Sequence, residues 1–199
     1  MKKAIKFIKI ALVLLITALF FNICYSNYTA DKMYQKAKDS LDRSELSNAF
    51  DYAESAIKLN PLEPNYYRMR ARVLINYLPN KDKSTRTFTK QLIVNDLKNA
   101  YILNTENLVT IRNLVPLYYF LAAENISAPA GPENTDPNFF EAAKNFYASI
   151  KDYSKNDVGI YALLAKYEKR LNMMEEYNVS VERVRALRPD LLDWYESFR

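Results

Sequence analysis

From Glu45 to Leu59 the apolar residues Leu46, Ala49, Phe50, Ala53, Ala56 and Ile57 recur three and four positions apart. That spacing gathers side chains on one face of an α-helix. The same pattern returns along the chain and predicts four helical hairpins over residues 28–199. The first runs from about Tyr28 to Leu59, with Thr29 or Asp31 as its cap and a turn at Asp42 to Ser44. Asn60-Pro61 stops it, because a residue before proline avoids the helical region. The second opens at Pro64 and Asn65 and continues through Tyr67, Ala71, Leu74 and Tyr77. A polar loop from Leu78-Pro79 to Arg86 follows, then a returning helix from about Phe88 to Leu103 with Leu92, Ile93, Leu97 and Ala100 inward.

The third hairpin begins near Asn107 and carries Ile111, Val115, Tyr118 and Leu121. Pro116 is expected to kink this helix or displace its start. A proline-containing loop, residues 125–137, leads to a helix from Asn138 to Lys151 with Phe139, Ala142, Ala143, Phe146 and Ile150 inward. The fourth hairpin has Tyr161, Leu164 and Ala165, a turn near Asn172, and a second helix through Tyr177, Val181, Val184 and Leu187. Pro189 ends it, and a tail from Leu191 to Phe198 with Trp194 is expected to cap the open end.

The hairpins share a spacing. Ala37, Ala49, Ala56 and Pro61 are separated by 12, 7 and 5 residues, and Ala165, Tyr177, Val184 and Pro189 by the same three intervals. A fixed period of this kind marks units that cannot bury their own apolar face and therefore stack. Ala71 and Ala100 stand 29 apart, against 19 for Ala37 and Ala56, so the second unit carries a ten-residue insertion.

Ahead of the hairpins, residues 10–30 carry no charge, and Ile10 to Phe21 is apolar apart from Thr17. About 20 such residues cross the hydrocarbon core of a bilayer. The expected layout is a basic cytoplasmic segment at residues 1–9, a membrane anchor at 10–27, and a repeat domain outside the cytoplasm at 28–199. Lys2, Lys3, Lys6 and Lys9 set that orientation, since lysine resists translocation. Tyr25 and Tyr28 suit the far interface. A signal peptide cleaved after Ser26 is the alternative and leaves the repeat domain on the same side. Cys24 is a small residue compatible with lipid, or an acylation site. Phe21-Asn22-Ile23 lacks the small residues that a lipoprotein site requires.

Charge and composition narrow the function. The net charge of +5 falls largely on those four lysines, leaving 24 basic against 23 acidic residues from Asn27 onward. No nucleic-acid footprint is therefore expected. Histidine is absent and Cys24 is the only cysteine, so neither a disulfide nor a zinc or iron-sulfur ligand set can be assembled. There is no Gly-rich phosphate loop, and the adjacent Glu175 and Glu176 diverge by about 100° on a helix. No cofactor, metal or catalytic role is expected. The triplets starting at Asn27, Asn125 and Asn178 fit the N-glycosylation pattern, which also arises by chance in a chain rich in Asn. Tyr101, Phe146 and Tyr147 read as core.

Tyr161-Ala162-Leu163-Leu164-Ala165, followed by Ala186-Leu187-Arg188-Pro189, resembles a tetratricopeptide repeat, as does Ala49 through Ala56 to Leu59-Asn60-Pro61. Tyr177 and Val184 replace small residues of that pattern. The resemblance covers about residues 28–190 and implies an all-α, right-handed α-solenoid of about four hairpins whose first helices line a concave surface. In that register the surface carries Tyr34, Lys38, Arg68, Arg72, Asn76, Arg112, Tyr119, Lys166 and Lys169, with Asp31 as its one acid. Arginine forks suit carboxylates and phosphates, and tyrosines add flat apolar contact. A protein or peptide partner with acidic groups is expected, held by a non-catalytic scaffold. The same charges also suit plain solvated helix faces.

A second resemblance lies in Ala30-Asp31 directly after an apolar helix, then Ile57-Lys58-Leu59-Asn60-Pro61-Leu62-Glu63-Pro64-Asn65-Tyr66-Tyr67-Arg68. That order is similar to the carboxy-terminal tail of some bacterial O-antigen ligase or polymerase-family membrane proteins. It implies a place in envelope polysaccharide assembly. The alternative it opens is an accessory or detached part that contacts an anionic glycan or lipid-linked substrate. The multi-spanning catalytic part of those proteins has no counterpart in this sequence, so ligase activity is not implied.

Overall fold

The computed structural model describes residues 2–80, 82–125, 128 and 131–191. Its described residues form eight α-helices: α1 (Lys2–Asp42), α2 (Leu46–Leu59), α3 (Pro64–Tyr77), α4 (Lys83–Ile102), α5 (Leu108–Ala122), α6 (Pro137–Tyr153), α7 (Val158–Arg170) and α8 (Met174–Leu187). Short 3-10 turns occupy Leu78–Asn80 and Pro132–Asn134. The expected terminal cap beyond Leu191, including Trp194, lies outside the described residues, as do parts of the 125–137 loop.

Helix α1 corrects one expectation. Neither Thr29 nor Asp31 starts a new helix, and α1 runs unbroken for 41 residues from the apolar segment into the first hairpin. No Gly or Pro occurs before Pro61, so nothing interrupts the backbone ladder. Thr29 instead donates its hydroxyl to the Tyr25 carbonyl at 2.8 Å, a bond made within a continuing helix. Along the apolar half, Leu14, Phe20 and Phe21 are exposed. This one helix near the N-terminus is long and apolar enough to cross a membrane.

Successive helices pack as antiparallel neighbours: α1 with α2, α3 with α4, α5 with α6, and α7 with α8. The odd-numbered helices also touch in series, α1 to α3, α3 to α5 and α5 to α7. Two antiparallel steps return the chain to the same end, so the odd helices point one way. Ser44 and Asn172 make the tight turns after α1 and α7 with left-handed backbone angles, φ 62° and 58°.

The largest core joins α3 to α7 through Leu74, Ile93, Leu97, Ile111, Leu114, Tyr147, Ile160 and Leu164. Between α1, α2 and α3 the core is built from Ala37, Ala49, Ala53, Met69 and Val73, and the three alanines let α1 and α2 approach closely. The repeat positions Ala37, Ala49, Ala56 and Val184 are all fully buried, which explains why the spacing persists.

Helix α4 starts five residues before its expected first turn at Phe88. Asp82 is the reason: its carboxylate accepts the Thr85 N–H at 2.9 Å and the Thr85 hydroxyl at 2.6 Å, a side-chain N-cap. Much of the expected polar loop is thus helical. The Thr85 hydroxyl and amide hold the Asp82 carboxyl below the usual carboxylate range. A folded pKa below the unfolded value gives stability that is present above about pH 4 and lost as pH falls through the folded pKa. Acidification below about pH 4 is expected to fray residues 83–87 first, read as faster amide exchange there. Asp82→Asn should make that exchange insensitive to pH over the same window once intrinsic rates are subtracted.

Pro116 neither displaces nor ends α5. The start stays at Leu108, where the Asn107 side chain accepts from the amides of Val109 and Thr110 at 2.9 and 3.0 Å. Proline removes only the donor that would have met the Arg112 carbonyl.

Three ion pairs between helices are partly or wholly buried. Arg70 forks onto Asp96 across α3 and α4 at 2.7 and 2.9 Å. Lys90 of α4 meets Asp136 at 2.7 Å and the Ala123 carbonyl at 2.7 Å. Lys151 of α6 meets Glu168 of α7 at 2.7 Å, and the Ser180 hydroxyl of α8 donates to the same carboxylate at 2.7 Å.

Candidate binding surface

Helix α3 divides its cations between two faces. Arg70 turns toward α4 and is committed to Asp96. Arg68, Arg72 and Asn76 follow at helical spacing on the opposite side, with Arg72 and Asn76 exposed and Arg68 half-buried. Asn76 donates to the Arg72 backbone carbonyl at 2.9 Å, and the Arg72 guanidinium holds no carboxylate among the described residues. On α7, Lys166 is exposed beside Arg170, four residues on. Arg170 was not singled out from the sequence. Its guanidinium stands 5.6 Å from the centre of the Tyr119 ring on α5, so it bridges two odd-numbered helices. The available signal was its i+4 relation to Lys166.

The structure redistributes the other expected surface residues. Tyr119 is buried, with its ring 5.1 Å from that of Tyr167. It belongs to the floor of the surface and not to its exposed face. Arg112 is exposed, but its terminal nitrogen binds both carboxylate oxygens of Asp157 at 2.8 and 2.9 Å. Asp157 in turn caps α7 by accepting the Ile160 amide at 2.9 Å, so Arg112 supports the neighbouring helix. Lys169 stands over the Tyr177 ring at 5.7 Å and so leans toward α8, away from α5. Tyr34 is half-buried, its ring 5.6 Å from that of Tyr66. Asp31, the one expected acid, accepts the Tyr66 hydroxyl at 2.5 Å. Burial first, and then that carboxylate, push the Tyr66 hydroxyl well above the ordinary tyrosine value, so it stays a donor.

A contrast in pairing emerges. Arg43, Arg70, Lys90, Arg112, Lys144, Lys151 and Arg188 each hold a carboxylate. Among the described residues, Lys38, Arg68, Arg72, Lys166 and Arg170 on the odd-numbered helices have none, and neither do Lys98 on α4 and Lys169 on α7. Unpaired cations set beside aromatic rings can accept carboxylate or phosphate oxygens from outside the chain.

A cleft of about 530 Å³ between α6, α7 and α8 is lined by Lys151, Lys155, Tyr161, Val179 and Arg183. Its cations are largely engaged: Lys151 with Glu168, and Arg183 with the Lys155 carbonyl and the Asn156 side chain, both at 2.8 Å. Among the described residues, no group of three His, Cys, Asp or Glu side chains converges on a point that could hold a metal ion. A scan against protein-family models finds none that matches this chain, and a search of curated proteins finds no match either.

Proposed function

We propose that this chain is a non-catalytic scaffold, held by α1 in a membrane, that binds an acidic segment of a protein partner outside the cytoplasm. The proposed architecture is a right-handed α-solenoid of four tetratricopeptide-like hairpins. Support comes from the serial contacts of the odd-numbered helices and from the repeated 12, 7 and 5 spacing. The basic residues before the apolar stretch support an N-terminus in the cytoplasm.

The observation that carries the functional reading is that Arg72, Lys166 and Arg170 are exposed and hold no carboxylate, whereas Arg70 and Arg112 on the same series of helices do. A near-neutral domain that leaves Arg68, Arg72, Lys166 and Arg170 free along one series of helices offers a directed basic surface. Tyr119 and Tyr167 beneath Arg170 supply an apolar floor.

Photo-crosslinking in cells from a probe at Asn76 tests the reading, because Asn76 is exposed beside Arg72. A protein adduct of discrete mass is expected. Reversing Arg72→Glu together with Lys166→Glu should reduce it about tenfold or more, given roughly 1.5–3 kcal/mol for each charge-assisted bond lost. Helicity and melting should not change, since neither side chain holds a carboxylate in the fold. Full capture by the doubly reversed protein, or a polydisperse glycan adduct in place of a protein, would overturn the proposal.

A further inference from the structure

Apolar side chains are exposed unevenly at the two ends of the helices. The turns between hairpins carry Leu62 (74% exposed), Ile102 (70%), Val109 (63%) and Tyr153 (54%), with Leu59 and Leu108 also exposed. Toward the turns within hairpins, among the described residues, Leu78, Leu171 and Met173 are buried, while Phe88, Met174 and Val179 are exposed. Single exposed apolar residues are ordinary, but a row of six along one edge, denser than at the other, marks a contact.

That edge is tied to the membrane helix. The Ser26 hydroxyl of α1 donates to the Leu59 carbonyl at 2.8 Å, fixing the α2–α3 turn beside residue 26. The remaining inter-hairpin turns lie at the same end, because the odd-numbered helices run alongside α1 in one direction. Two of those turns are joined directly: the Tyr153 hydroxyl donates to Glu106 at 3.0 Å, and Arg112 holds Asp157. A hydrocarbon core of about 30 Å takes about 20 residues at 1.5 Å each, so a span entered at Ile10 reaches its far face between Ser26 and Ala30. Tyr25 and Tyr28, both exposed, flank that level as interfacial aromatics do.

We propose that the inter-hairpin edge lies on the outer face of the bilayer crossed by α1, with Leu62, Ile102 and Val109 inserted among the headgroups. The partner is that lipid surface, identified by continuity with the spanning helix. The inference rests on the reading of α1 as a membrane span. Charges along the edge are mixed, with Lys58 and Lys155 set among Glu63, Glu106 and Asp157. Insertion therefore depends on apolar burial and not on anionic lipid.

Nitroxide accessibility measured on the full chain in phosphatidylcholine vesicles tests this. With Cys24→Ser as background, single labels go at Ile102→Cys and Val109→Cys, at Ser47→Cys on the opposite edge, and at Leu15→Cys within the span. All four sites are exposed, and circular dichroism confirms that each labelled protein keeps the parental helicity. At residues 102 and 109 the ratio of oxygen to nickel-chelate collisions should exceed that at residue 47 by roughly threefold or more, unchanged in high salt. Equal ratios at 102, 109 and 47 with a lipid-exposed Leu15 site would overturn the edge contact and leave the anchor standing. An aqueous Leu15 site would overturn the spanning reading and this inference with it.

Discussion

Asp136→Ala is expected to destabilise the protein by about 3–5 kcal/mol, the range for removing one partner of a buried ion pair. The effect is large because the carboxylate does two things. It accepts the Lys90 ammonium at 2.7 Å, and it caps α6 by accepting the Asn138 amide at 3.1 Å. Lys90 is 2% exposed and cannot reach water without leaving its place beside Phe139. Its other contact, the Ala123 carbonyl, carries no full charge to balance it. At roughly 2–4 °C per kcal/mol for a chain of this size, melting should fall by about 10 °C, measured by circular dichroism of the full chain in detergent. Asp136→Asn keeps a capping oxygen but not the charge and should lie between the two. A shift of under about 2 °C for Asp136→Ala would mean that the pair contributes little.

The second large effect is expected at Glu168, which is fully buried where three helices meet. Lys151→Met leaves this carboxylate in the core with only the Ser180 hydroxyl, at a cost of about 3 kcal/mol or more. Glu168→Gln in the parent should cost less, because Lys151 also donates to the Glu176 carbonyl at 3.0 Å and is partly exposed. The double variant Lys151→Met/Glu168→Gln should recover most of the loss, since a neutral amide can still bond Ser180. That non-additivity, about 1–3 kcal/mol in denaturant midpoints, is the signature of a coupled pair. Additive losses would show that the two side chains act independently.

The hairpins were legible in the sequence because their period is imposed by burial: a helix that packs on one side must repeat its small and apolar residues three and four apart. Ala49, Ala56 and Val184 stand where the spacing put them, with no exposed surface left. Ends were less legible because caps compete. Phe88 looks like the first inward residue of α4, yet the Asp82–Thr85 cap lengthens the helix, and Phe88 itself is 67% exposed. At Thr29 the reverse held, where a good capping residue sits in a helix that nothing breaks. Pairs such as Lys90 and Asp136, 46 residues apart, carry no local signal, because their partnership depends on how hairpins stack. The basic character of the odd-numbered helices was visible, but which cations stay free was not. Arg112 and Arg70 look like Arg72 in sequence and differ only in having Asp157 and Asp96 within reach.

With α1 as the proposed membrane span, its unbroken course makes bilayer thickness a control on the orientation of the helices it carries. A spanning helix adjusts to hydrophobic mismatch by tilting, and a flexible linker would absorb that tilt before it reached a soluble domain. Here the same helix packs directly on α2 and α3, so the tilt is passed on to them. With neighbouring helices about 10 Å apart, a tilt of about 10° moves the adjacent α3 by about 2 Å. Lipid composition would thereby set the direction from which the proposed partner meets Arg72, with no change inside the helix pair itself.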